Sequence, residues 1–105
     1  MSWQAVFDFE RVVSQYFGAP YGIAVDSCTH GLELCLRYNN VDKLIVPKRT
    51  YISIPFLANK LDIPLEWKDE VWKDYYEIGA TKIYDAAVLW RQDSYIPNTF
   101  MCISF

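Results

Sequence analysis

The chain has 105 residues, of which 52% are apolar and 22% charged, and its formal net charge is −3. That length and apolar content suit one small domain with a core and exclude a disordered chain. The acidic balance, with no basic stripe, excludes a nucleic-acid or membrane-surface footprint, and no apolar run approaches the ~18 residues of a bilayer span.

The first stretch, MSWQAVFDFERV, lacks the charged start and small-residue cleavage site of a secretory signal. A cytoplasmic chain is expected, with its three cysteines reduced. One histidine and no CxxC pair argue against a zinc site. Residues 3–17 place Val6, Phe9, Val13 and Phe17 at spacings of three and four, which predicts an amphipathic helix stopped by Gly18 and Pro20. Residues 21–25 predict a short strand. Residues 28–38 predict a second helix, with Leu32, Cys35 and Leu36 on one face and Asn39-Asn40 at its end.

Leu44-Ile45-Val46 predicts an apolar strand closed by Pro47. A third helix is expected from Thr50 or Ser53 to Lys60, with Pro55 tolerated in its first turn. Ile63 to Trp67 predicts a third strand, and residues 82–85 and 100–104 two more; 69–81 predicts no element. The alternation of strands and helices predicts an α/β fold, three-layered, with a mostly parallel sheet and crossover helices. In such folds ligands gather beyond the carboxyl ends of the strands. The polar positions that follow or end strands, Ser27 to Thr29, Thr50-Tyr51, Asp85 and Ser104, are therefore expected on one rim.

The opening of the second helix, Asp26-Ser27-Cys28-Thr29, has two readings. A helix start offers unpaired N–H groups and a positive dipole end, which suit an anion such as a phosphate. Ser27 or Asp26 can equally be an ordinary N-cap. Tyr51, Asp85 and Ser104 also have bland readings, as a rim aromatic, a turn cap and a terminal residue. Cys28 lacks a base for nucleophilic work, His30 reads as a surface residue, and Trp67, Trp72, Tyr75 and Tyr76 read as packing beneath a loop.

Four stretches taken in order resemble the DegT/DnrJ/EryC1/StrS family of pyridoxal-phosphate sugar aminotransferases. They are FERVVSQYFGAPYGIAVDSCTHGLELCLRY, LIVPKRTYISIPFLANKLDIPLEW, IYDAA and CISF, together most of residues 9–105. The resemblance implies part of the large domain of a fold-type I transferase and pyridoxal phosphate as cofactor. It also implies a dimer, and amino transfer from a glutamate-type donor to a keto-sugar nucleotide, as in polysaccharide biosynthesis. Position by position, it implies that Cys28, Thr29 and the N–H of His30 hold the phosphate. Tyr51 stacks on the pyridine ring, Asp85 pairs with its nitrogen, and Ser104 adds a phosphate hydroxyl.

There are departures from the family pattern. The family's Schiff-base lysine follows the Ser-Phe pair by a few residues, and the lysines at 43, 48, 60, 68, 73 and 82 do not occupy its place. No catalytic residue is assigned, covalent attachment of the cofactor is not expected, and residues 1–105 read as a truncated or minimal domain, inactive alone. The stretch between Trp67 and Lys82 is short for the family, Val88 stands where a His or Gln is usual, and Asp26 puts a like charge beside the phosphate position. A non-catalytic module of the same ancestry, binding a phosphate ligand or a partner chain, is the alternative. An unrelated flavodoxin-like binder leaves IYDAA and CISF without a role.

Overall fold

The computed structural model describes residues 3–105. Helix α1 spans Gln4–Phe17 and turns its Val6, Val13, Ser14 and Phe17 side inward. It closes at Gly18, whose left-handed φ of 75° lets the N–H of Ala19 return to the Ser14 carbonyl at 2.8 Å. A side chain at 18 would also press on Asp93, whose Oδ1 lies 3.2 Å from the Cβ position.

Helix α2 is Cys28–Tyr38 and α3 is Ser53–Leu61, both with the spans that periodicity and caps imply. Strands β1, Leu44–Pro47, and β2, Leu65–Lys68, pair in parallel around α3, Leu44 opposite Leu65. This is a βαβ unit, the connection that parallel pairing requires. Its strand β2 begins later than expected, because the N–H of Ile63 caps the end of α3 by donating to Ala58. Pro64 still joins the ladder through its carbonyl, which accepts from Leu44 at 2.9 Å.

A second sheet contains β3, Tyr76–Glu77, β4, Ile83–Asp85, and β5, Phe100–Cys102, in that order. Strands β4 and β5 are parallel; β3 runs antiparallel to β4. Strand β3 lies where no element was expected. Two residues are too few for an alternation to register in sequence, and β3 is defined by its partner. The two sheets meet where the N–H of Gly79 donates to the carbonyl of Ile45 at 2.8 Å.

The expected architecture therefore needs correction. The described residues form an α/β structure with parallel pairs, but in two small sheets rather than one sheet between helical layers. Residues 21–25 form no regular element and belong to neither sheet. They run back along α1, the N–H of Ala24 donating to the Glu10 carboxylate at 2.7 Å, and Ile23 stays 76% exposed. No strand among the described residues offers this segment a ladder, so its apolar alternation buries little.

One core serves both sheets. Leu32 and Leu36 of α2, Leu44 and Val46 of β1, Ile54, Leu57 and Ala58 of α3, and Tyr76, Ile78, Ile83 and Cys102 pack together. Helix α2 lies on β4 and β5 and touches α3. Glu33 fastens the two helices, holding Lys60 at 2.8 Å and Arg37 at 3.0 Å. Its carboxyl is held below the usual range, chiefly by the Lys60 bond and then by Arg37.

Candidate functional site

The mouth of α2 is built by Ser27. Its backbone is extended, its Oγ accepts from the N–H of His30 at 3.1 Å, and its carbonyl accepts from Gly31 at 3.0 Å. That is an N-cap, and it takes one of the four orphan amides of the helix start. The His30 amide expected to meet a phosphate is thus already engaged. The amides of Cys28 and Thr29 and the Thr29 hydroxyl find no acceptor or donor among the described residues. Asp26 leans onto the His30 ring, Oδ1 to Nδ1 at 2.6 Å. That bond is the main cause holding the Asp26 carboxyl below its ordinary range.

Cys28 turns the other way. Its side chain is half-buried against the core, and its thiol is pushed up to about 12, first by burial and then by the charges of Asp85 and Cys35. A protonated, inward thiol is a packing group rather than a nucleophile or an anion ligand.

A chain of hydroxyls runs from β1's end to β4's end. Thr50 Oγ1 meets the Tyr76 phenol at 2.6 Å, and that phenol donates to Asp85 Oδ2 at 2.9 Å. Asp85 Oδ1 accepts from the N–H of Ala87 at 3.2 Å. Asp85 is only 5% exposed. Burial raises its carboxyl above the ordinary value, while the bonds from Tyr76 and Ala87 hold it down. The Tyr76 phenol is raised as well, by burial first and by Asp85 second.

Tyr51 is one residue from this chain but 56% exposed. It lines an open cavity of about 410 Å³ with Arg49, Thr50 and Trp72, where the Trp72 indole donates to the Arg49 carbonyl at 2.6 Å. Ser104 lies two residues past Cys102, which pairs with Asp85 across β4 and β5. The Ser104 carbonyl takes the Trp90 indole N–H at 2.7 Å.

The tertiary structure thus gathers Cys28, Thr50 and Asp85 around the carboxyl ends of β1 and β4, with Tyr51 and Ser104 at the margins. The residue that sequence reasoning missed is Tyr76. It does pack, its ring 5.0 Å from Trp72, yet its hydroxyl is what joins Thr50 to Asp85. The signal lay in its place opposite Asp85 in the β3–β4 pair, which becomes visible only once β3 is known. Among the described residues, no group of three or more His, Cys, Asp and Glu side chains is arranged to hold a metal ion. None of their helices is long and apolar enough to cross a membrane.

The model of the DegT/DnrJ/EryC1/StrS aminotransferase family matches residues 2–62. The chain belongs to this family. Comparison of the chain with the curated proteins and with the solved structures found no match. The matched stretch holds α1, α2, β1 and α3, and so includes Cys28, Thr29, His30 and Tyr51. Asp85 and Ser104 lie beyond it. The ancestry is that of a DegT/DnrJ/EryC1/StrS aminotransferase, a pyridoxal-phosphate-dependent lineage.

Proposed function

We propose that the mouth of α2 is the phosphate end of a pyridoxal-phosphate site in an aminotransferase of nucleotide sugars, one that moves an amino group from a glutamate-type donor to a keto-sugar. The observation that carries this reading is the pair of amides at Cys28 and Thr29 without acceptors, beside the Thr29 hydroxyl, within the family-matched stretch. Thr29 and those amides would hold the phosphate. Helix dipole and amide bonds both favour an anion there. When bound, the cofactor supplies an electron sink for bond breaking at the amino-bearing carbon.

The ring end fits less well. Asp85 is 5% exposed and accepts from the Tyr76 phenol and the Ala87 amide, so a pyridine nitrogen would have to enter a closed site beside Tyr76. Tyr51, exposed in the lining of the cavity, would cover the ring. The engaged carboxylate favours the second reading, a non-catalytic module that binds a phosphate ligand and does not turn over by itself. The family's habit of dimerising, set beside the exposed apolar side of α1, leads us to add a homodimer to the proposal.

An NMR titration of amide shifts with inorganic phosphate, pyridoxal phosphate and pyridoxamine phosphate tests the reading. We expect shifts at residues 28–31 with affinities in the millimolar range, roughly −4 kcal/mol. Thr29→Ala weakens all three ligands, and Asp26→Asn strengthens them by removing a like charge. Tyr76→Phe strengthens the two pyridine-bearing ligands alone if Asp85 is the ring partner. Shifts confined to Lys43 or Arg91 would reduce the mouth of α2 to a capped helix start.

A further inference from the structure

We propose that Cys35 and Cys102 are a thiol pair that a low-molecular-weight disulfide oxidises to an intramolecular disulfide, stapling β5 to α2. Their Sγ atoms lie 3.8 Å apart although the residues are 67 positions apart in sequence. All three cysteines are free thiols. A disulfide needs about 2.05 Å between sulfurs, so the pair must close by about 1.8 Å, within reach of small side-chain rotations. Helix α2 sits close to β5 at this place. Gly31 has the Cys102 sulfur 3.9 Å from its Cβ position.

The two thiols differ in a way that orders the chemistry. Cys35 is partly exposed and Cys102 buried. The bond between the two sulfurs lowers the Cys35 thiol from its ordinary value, whereas that same bond, and then burial, raise Cys102. Cys35, the more exposed sulfur, attacks first. Its thiolate takes one sulfur of the reagent, and one small thiol leaves with the electron pair and acquires a proton. Cys102 then loses its proton, and its sulfur attacks the Cys35 sulfur of the mixed disulfide, expelling the second small thiol. Two protein thiols are oxidised and one small disulfide is reduced to two thiols.

The bond has a structural target. Among the described residues strand β5 is an edge of its sheet, paired to β4 alone, and an edge strand has one side of its ladder unpaired. A covalent tie to α2, whose Leu32 and Leu36 sit in the core, holds that edge down. Cys28 belongs to the same packed cluster, but its raised thiol is a poor attacker at neutral pH.

The experiment treats the reduced chain with oxidised glutathione and follows intact mass, non-reducing peptide maps and the thermal midpoint. We expect loss of two hydrogens in mass, a Cys35–Cys102 cross-linked peptide, Cys28 still open to alkylation after unfolding, and a midpoint raised by at least ~5 °C. Cys28→Ser should form the same Cys35–Cys102 cross-link. Cys102→Ala should stop at a Cys35 adduct with no rise in midpoint. A cross-link that uses Cys28, a bond between two copies, or a stable Cys35 adduct in the parent chain would each overturn the proposal.

Discussion

Helices α1 and α2 carry the same sequence signal, apolar residues at three- and four-residue spacings, and meet different fates. Helix α2 drives Leu32 and Leu36, each 2% exposed, into a core shared by two sheets. Helix α1 leaves Phe7 59% and Val12 55% exposed and buries mainly Phe17. It is held instead from its ends and edges. Asp93 and Tyr95 donate to the carbonyls of Tyr16 and Phe17, and Phe9, Phe17, Trp90 and Phe105 form a chain of ring contacts. Periodicity thus identifies a helix but not the depth of its burial. That depth depends on which strands arrive beneath it, and the segment after α1, residues 21–25, brings no paired strand to that side.

The largest test of this contrast is truncation in the deeper helix. Leu36→Ala should cost about 2–5 kcal/mol in chemical denaturation, because the site is closed on all sides. A cost near zero would mean that α2 is not seated on the sheets. The hydroxyl chain beneath α2 comes next. Tyr76→Phe keeps the ring but strips Asp85 and Thr50 of their shared partner, and should cost about 1–3 kcal/mol.

The same carboxyl offers a pH test. The folded state raises the Asp85 carboxyl above its unfolded value, burial being the first cause. Protonation is then favoured in the folded chain. The resulting stability is fully present below the unfolded value and is lost as pH rises through the folded one. Glu33 and Asp26 are shifted the other way and lose their contribution as pH falls. The informative quantity is therefore a difference. Between about pH 7 and pH 4, the parent chain should gain stability relative to Asp85→Asn. A difference that does not change with pH would remove the strain of burial from the account.

Smaller effects belong to the surface. Ser27→Ala should cost about 0.5–2 kcal/mol through the lost cap on α2. Val12→Ala on α1 should fall within about 0.5 kcal/mol in a monomer, because the side chain is exposed. If the proposed dimer covers that side, sedimentation will show self-association that Phe7→Glu weakens while the monomer's fold is kept. A monomer at every concentration would leave α1 as an outlying helix.

The three helices, strand β1, and the ends of most elements were determined by the sequence itself. Their causes are local: 3.6-residue periodicity, Ser27 as a cap, Gly18 in a left-handed turn, and Pro47 closing a strand. Of the expected rim, chain order places Asp85 at the end of β4 and Thr50 just beyond the end of β1, whereas no strand precedes Ser27 to Thr29. Only the tertiary structure decided what those residues touch. Whether residues 21–25 pair depends on a neighbour strand that they do not encode. Tyr76 reaches Asp85 across a hairpin, and Cys35 reaches Cys102 across 67 positions. Such contacts depend on closing loops and on how two sheets share one core, and a residue's own neighbours in the chain carry no record of either.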